Sequence, residues 1–321
     1  MRILHEFSYE RPRCLGEALA LLGEHGAALS PLAGGTDLVV NMKMRSILQI
    51  TERAGATDAR WPAARRVPPI QTPRVVMSLA ELEELEGVAI DGGLVRVGPT
   101  TTMAALADAG ALPATLGALR DAAAIMGSPL IRNLATVGGN VMNARPAADT
   151  AVALLACGAQ LSLESKADGA RLVDLASFFT GPGRSVRRGD ELLTRIEATA
   201  APGQGSAYER LGNRRQLEIA LVGAAAWLAL DGGTGKITAA RIALGAVGPT
   251  PLLAGDAAAS LIGKAPGDAA FEAAGKTARG EVKPIDDFRG TAAYRLELVQ
   301  ALVRRALEGA AARAIGKGGR P

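Results

Sequence analysis

The sequence predicts an α+β chain of two units, residues 1–200 and 201–312, followed by a short flexible basic tail at 313–321. Two patterns carry that prediction. Through the first 200 residues, short strand-like runs are interspersed with stretches of helical spacing. Beyond 200, strand-like runs joined by a hairpin turn lead into a final third that is helical throughout. A chain of 321 residues with 48% hydrophobic content is long enough to fill the cores of two domains.

Taken in order, Leu15, Ala18, Leu19 and Leu22 recur at helical spacing, and Gly26 is placed to stop that helix. A short strand at 28–33 then runs into Gly34-Gly35, with Thr36 as the N-cap of a helix through about Lys43. Residues 50–72 hold three prolines and scattered arginines without apolar period, and read as an exposed excursion. The runs "RVVMSL" and "GLVRVG" are strand-like, and helical patterns follow at 102–109 and 114–126. A second Gly-Gly turn lies at 136–140, in "ATVGGN". Pro146 prevents an uninterrupted helix after it, so a fresh one is expected near Asp149. Strands are expected at about 159–165, 190–198, 206–212 and 219–230. The turn "LDGGTGKI" joins the last of these to "ARIALGAV".

The two Gly-Gly turns carry the chemistry. A glycine turn opening a helix leaves backbone N–H groups unpaired and lets the main chain approach a ligand closely. Such a nest suits a phosphate oxygen. Thr36, Thr136 and the amide of Asn140 add further donors. Two turns of matching chemistry suggest a pyrophosphate held from both sides, hence a dinucleotide, with the turns facing each other across a phosphate-sized gap. Asp149 reads equally as a helix N-cap or as an acceptor for sugar hydroxyls of the same ligand.

Other classes fall away. G-x-G-x-x-G is missing from both turns, and "GGTGK" at 232–236 lacks the upstream glycine and the hydroxyl residue of a mononucleotide loop. There is no G-x-S-x-G, H-E-x-x-H or C-x-x-C. Two cysteines, Cys14 and Cys157, and two histidines, His5 and His25, are too few for an iron–sulfur cluster or a zinc site on this chain. The net charge of +4 is mostly dispersed, and 3% aromatic content gives no base-stacking platform, so nucleic acid is not an expected partner. No apolar run is long enough to span a membrane, and charges occupy the N-terminus where a signal peptide is apolar, so the cytoplasm is the expected location.

Three segments, "LAGGTDLVVNMK" (32–43), "GSPLIRNLATVGGNVMNARPAADT" (127–150) and "GTAAYRLELVQALVRRAL" (290–307), resemble in order the FAD-binding subunit or domain of the molybdenum hydroxylases, the family of xanthine dehydrogenase, carbon monoxide dehydrogenase and 4-hydroxybenzoyl-CoA reductase. The resemblance implies an FAD-binding fold of the vanillyl-alcohol oxidase (PCMH) type over 1–200, with subdomains at about 1–75 and 76–200, and a sheet-and-helix domain over 201–312. It implies that Leu32, Ala33, Gly34, Gly35, Thr36, Asp37 and Leu38, with Thr136, Val137, Gly138, Gly139 and Asn140, cradle the FAD pyrophosphate. Asn143 and Asp149 would hold ribityl or ribose hydroxyls, and Met126 and Leu193 would meet the flavin ring. Arg210, also in the implied site, stands where many relatives have lysine, and Glu218 where they have aspartate. Relatives lack the insertion between Gln49 and Gln71, whereas the cysteine-bearing insertion that binds an extra cluster in some members is missing here.

The implied function is an electron-transfer subunit with no catalytic acid or base of its own. A large molybdopterin-binding subunit and a small 2Fe-2S subunit are the implied partners, in a dimer of heterotrimers. Two alternatives differ in class. One is a stand-alone flavin reductase resembling UDP-N-acetylenolpyruvoylglucosamine reductase, which the closing segment does not match; the other is a scaffold that has lost FAD.

Overall fold

Residues 6–44 and 73–316, apart from 109, 111 and 215, are described by the computed structural model. The excursion at 50–72 and tail residues 317–321 lie outside the described residues. The first strand, β1 (Ser8–Glu10), is followed by helix α1 (Leu15–His25), which buries Ala18, Leu19 and Leu22 as its spacing predicts and stops at Gly26, where φ turns positive at 51°. Strand β2 (Leu29–Leu32) leads into the first glycine turn, and helix α2 occupies 38–44. Asp37, not Thr36, therefore stands immediately before that helix. Strand β3 (Val75–Ser78) lies between β1 and β2, parallel to both. Its four residues are all buried, as the centre of a parallel sheet requires. This layer extends past residue 75, because β3 is its middle strand.

The next stretch builds an antiparallel sheet faced by helices. Strands β4 (Val88–Asp91) and β5 (Leu94–Val97) precede helices α3 (Met103–Asp108), α4 (Gly117–Ile125), α5 (Pro129–Arg132), α6 (Val137–Met142) and α7 (Asp149–Ala156). Strands β6 (Gln160–Ser165) and β7 (Gly169–Asp174) follow, then a one-turn α8 (Leu175–Phe178), a small hairpin of β8 (Phe179–Gly181) and β9 (Arg184–Ser185), and β10 (Leu192–Thr199). The five-stranded order is β4-β5-β10-β6-β7. The sequence predicts β5, β6 and β10 but not the edge strands β4 and β7, which are mostly exposed and so have little apolar alternation to reveal them.

From residue 204 the chain builds a four-stranded antiparallel sheet, β11 (Gln204–Leu211), β12 (Val222–Leu230), β13 (Ile237–Gly245) and β14 (Leu252–Leu253), in sequence order. Helices α9 (Gly255–Ala259), α10 (Asp268–Gly280) and α11 (Ala292–Ala314) cover one face. Successive side chains of a strand point to opposite faces, and β12 is buried on both. Ala224, Ala226 and Leu228 join the core under α10 and α11, while Ala225 and Trp227 join the core around α4 and α7. Helix α7 is buried at every residue, as an element packed between two layers must be. Helix α11 runs to Ala314, so Arg313 belongs to the helix and not to the tail: its guanidinium makes a two-pronged pair with Asp121 on α4, at 2.6 and 2.7 Å.

The two cysteines differ sharply. Cys14 is exposed, whereas Cys157 is buried and its Sγ lies 3.3 Å from the Thr115 carbonyl oxygen. Burial pushes the Cys157 thiol up to about 11. Dithionitrobenzoate at neutral pH is expected to titrate one thiol per folded chain and two after denaturation; two fast-reacting thiols in the folded protein would contradict this packing.

Candidate functional site

A cavity of about 330 Å³ lies where the two glycine turns meet. The first turn leaves the end of β2 and enters α2. Among the described residues, no acceptor meets the amide N–H of Gly34, Gly35, Thr36 or Asp37. Four successive unpaired donors at the start of a helix form an anion nest. Gly35 has a φ of 71°, a conformation glycine adopts without steric cost. Gly34 is needed for another reason. A Cβ there would overlap the Leu134 carbonyl oxygen and crowd Ala135 N at 3.0 Å, so the two turns are in direct backbone contact at one edge. The expected gap between them is therefore closed on that side, and the cavity opens beside the contact.

The second turn is built differently. Thr136 caps α6, its Oγ1 accepting from Gly139 N at 3.2 Å. Val137 N donates to Thr101 O (3.1 Å), Gly138 N to Pro99 O (2.8 Å) and Asn140 N to Thr136 O (3.1 Å). The backbone donors of this turn are thus already engaged, contrary to the expectation that a glycine turn leaves them free. Gly138 is required by Pro99, whose carbonyl oxygen lies 2.6 Å from where a Cβ would stand. Gly139 is exposed, and a Cβ there would meet only Thr136 Oγ1, at 3.0 Å. What this side offers is side chains. Thr150 Oγ1 donates to Asn140 Oδ1 at 2.7 Å, which turns the amide so that its N–H₂ is the available end.

Of the residues singled out in the sequence, Ala33, Gly34, Gly35, Thr36, Asp37, Leu38, Met126, Thr136, Gly138, Gly139, Asn140, Asn143 and Leu193 line this cavity. Leu32, Val137, Asp149 and Arg210 do not. Val137 is fully buried in the core around α4 and α7. Asp149 and Arg210 face each other at 3.0 Å, and Tyr208 Oη donates to Asp149 at 2.6 Å. Burial raises the Asp149 carboxyl above the usual aspartate range, against the pull of Arg210 and the two hydrogen bonds. Burial, with the neighbouring carboxylate, also lifts Tyr208 well above the ordinary phenol value, so its hydroxyl remains a donor.

Sequence reasoning missed Asn41, Arg187 and Glu191, which also line the cavity. Arg187 Nη1 donates to the Glu191 carbonyl oxygen at 2.7 Å. Burial lowers the pKa of this guanidinium while Glu191 and Asp190 oppose the shift; it stays a cation at any working pH. Glu191 itself is 1% exposed and accepts from Arg171 Nε (2.6 Å), Arg171 Nη2 (3.0 Å) and Arg188 N (2.7 Å). Burial favours its neutral form, but these donors outweigh burial and hold the carboxyl below the usual glutamate range. Because the folded chain binds this proton more weakly than the unfolded chain, the stabilisation is complete above the ordinary glutamate pKa and drains away as pH falls below it. Glu191→Gln is expected to cost about 2 kcal/mol at neutral pH, a difference from wild type that narrows in urea melts taken below the glutamate range. A constant difference across pH would refute the assignment.

Comparison with known proteins now identifies the lineage. Residues 63–198 match the family described as the FAD binding domain in molybdopterin dehydrogenase, and residues 206–310 the CO dehydrogenase flavoprotein C-terminal domain. The carbon monoxide dehydrogenase medium chain of Afipia carboxidovorans is 33% identical over 96% of this chain and 98% of that one. The chain belongs to the family of molybdenum hydroxylase FAD subunits. The xanthine dehydrogenase FAD-binding subunit of Escherichia coli O157:H7, another member, is 29% identical over 97% of this chain and 98% of its own length. A solved carbon monoxide dehydrogenase from Hydrogenophaga pseudoflava superposes with a TM-score of 0.83 at 32% identity, covering 97% of this chain and 99% of that one. The chain is thus an FAD-containing oxidoreductase subunit with the α+β fold of those flavoproteins. Among the described residues, no helix is long and apolar enough to cross a membrane.

Proposed function

We propose that this chain passes electrons between the 2Fe-2S clusters of a small partner subunit and an external acceptor or donor, in a complex whose large subunit binds molybdopterin. Its FAD lies in the cavity between the glycine turns. The row of unpaired N–H groups from Gly34 to Asp37 supports this reading most directly, because a doubly charged pyrophosphate is the natural occupant of such a nest. Ala33 to Leu38 hold that group on one side. Thr136, Gly139, Asn140 and Asn143 form the opposite wall, with the free amide of Asn140 as a neutral donor. Met126 and Leu193 supply apolar contact for the ring, the thioether of Met126 packing softly on an aromatic face. Arg187 adds a fixed positive charge to the cavity lining.

Bound FAD supplies the redox chemistry; the chain's share is to bind it, orient it and exclude water from it. The complex is a dimer of heterotrimers. Affinity purification of the full chain from its native host tests the proposal. Expected is stoichiometric FAD, with co-purifying partners that carry molybdenum and iron. Rapid NAD(P)H oxidation by the chain alone, with no metal-bearing partner, would instead favour a stand-alone reductase, and a folded chain that stays colourless after reconstitution would exclude a flavin role altogether.

A further inference from the structure

Met126 sits at the C-terminal end of α4, where helical carbonyl groups run out of intrahelical partners. Three in succession are met from outside. Ile125 O accepts from Arg210 Nη2 at 2.8 Å, Met126 O from Arg132 Nη1 at 3.1 Å, and Gly127 O from Leu217 N at 3.0 Å. Arg210 is the hub of this arrangement. Its Nη1 also donates to Asp149 Oδ2 at 3.0 Å and to the Glu218 carbonyl oxygen at 3.3 Å. Arg210 and Asp149 side chains are each 7% exposed, and Tyr208 Oη fixes the other carboxylate oxygen. Gly223, paired with Arg210 across β11 and β12, leaves the space the Tyr208 hydroxyl occupies; a Cβ there would overlap it.

The loop that Arg210 holds is itself strained. Leu217 has a φ of 52°, unfavourable for a residue with a side chain. It persists because Gly127 takes its N–H, Arg214 Nη2 donates to its carbonyl at 2.6 Å, and Arg210 takes the next carbonyl along.

We infer that Arg210 is a positioning residue: from outside the cavity it fixes Met126 against the flavin site by tying the Ile125 carbonyl to Asp149 and to the 217–218 loop. This rests on the reading of the cavity as the FAD site. The planar guanidinium reaches three acceptors at once, which a lysine ammonium on a flexible stem does not reproduce. A cation at a helix C-terminus is also favoured by the helix dipole.

The test is a double-mutant cycle on the purified full chain, using Arg210→Lys, Met126→Ala and both together. Readouts are the melting temperature of the flavin-free chain, FAD affinity, the visible flavin spectrum and the midpoint potential. Arg210→Lys is expected to fold, to bind FAD about tenfold more weakly, and to shift the spectrum and potential. In the Met126→Ala background the same change is expected to add little. Wild-type affinity and potential in Arg210→Lys, or strict additivity with Met126→Ala, would overturn the inference while leaving the FAD site intact. If Arg210→Lys does not fold, Tyr208→Phe, which loosens Asp149 but keeps both charges, should move the potential in the same direction by less; no movement refutes the inference. Failure of the wild-type chain itself to bind FAD overturns both readings.

Discussion

A Gly34→Ala chain is expected to purify colourless and with a lowered melting temperature, whereas Gly139→Leu melts like the wild type and loses only its flavin. The two glycines fail for different reasons. At position 34 the new Cβ has nowhere to go: the Leu134 carbonyl oxygen and the backbone of Ala135 fill the space, and both are main chain. The turns must part, and overpacking of this kind costs about 3 kcal/mol or more. At position 139 the space is open apart from Thr136 Oγ1, so a larger side chain extends from the cavity wall without disturbing the core. It competes with the ligand instead, with FAD affinity falling about 100-fold or more. Thermal melts with and without added FAD separate the two outcomes. Full flavin occupancy in either variant would mean that the turns do not share one ligand.

Arg295→Met should destabilise the chain by about 3 kcal/mol without touching the flavin spectrum. Arg295, within the closing segment that resembles the flavoprotein family, is 3% exposed. It donates to Leu221 O at 2.8 Å, Ala246 O at 3.0 Å and Asp287 Oδ1 at 2.8 Å. Removing it leaves the Leu221 and Ala246 carbonyls without their donor and takes one cation from Asp287, whose carboxylate keeps Arg289 N, Gly290 N and Arg289 Nη1. It also removes one of the two bonds that hold Ala246, whose φ of 62° is strained for a residue with a side chain and whose N–H donates to Pro146 O at 2.8 Å. Urea denaturation followed by circular dichroism measures the loss, and a cost under about 1 kcal/mol would show that water replaces the guanidinium at little expense.

What the sequence reveals and what it hides have physical causes. Helices α3, α4 and α7 and strands β5, β6, β10 and β12 are legible because apolar periodicity and turn residues are local signals. Both glycine turns are legible for the same reason. The engagement of the second turn's N–H groups is not, because the acceptors, Pro99 O and Thr101 O, lie more than thirty residues upstream. The Asp149–Tyr208–Arg210 cluster joins residues about sixty apart, and only the packing of α7 on β11 brings them together. Arg187 is hidden in another way: an Arg-Arg pair in a loop reads as solvated charge, and nothing local separates the arginine that lines a cavity from its exposed neighbour Arg188.

Strand β12 also bears on how the molecule comes apart. A wall common to two rooms cannot be removed for one alone: when heat strips α10 and α11 from one face, the strand that supports Tyr208, Ala225 and Trp227 against α4 and α7 goes with them. The chain should therefore melt in a single cooperative step, and α4, at whose end Met126 lines the cavity, should lose its footing in that same step.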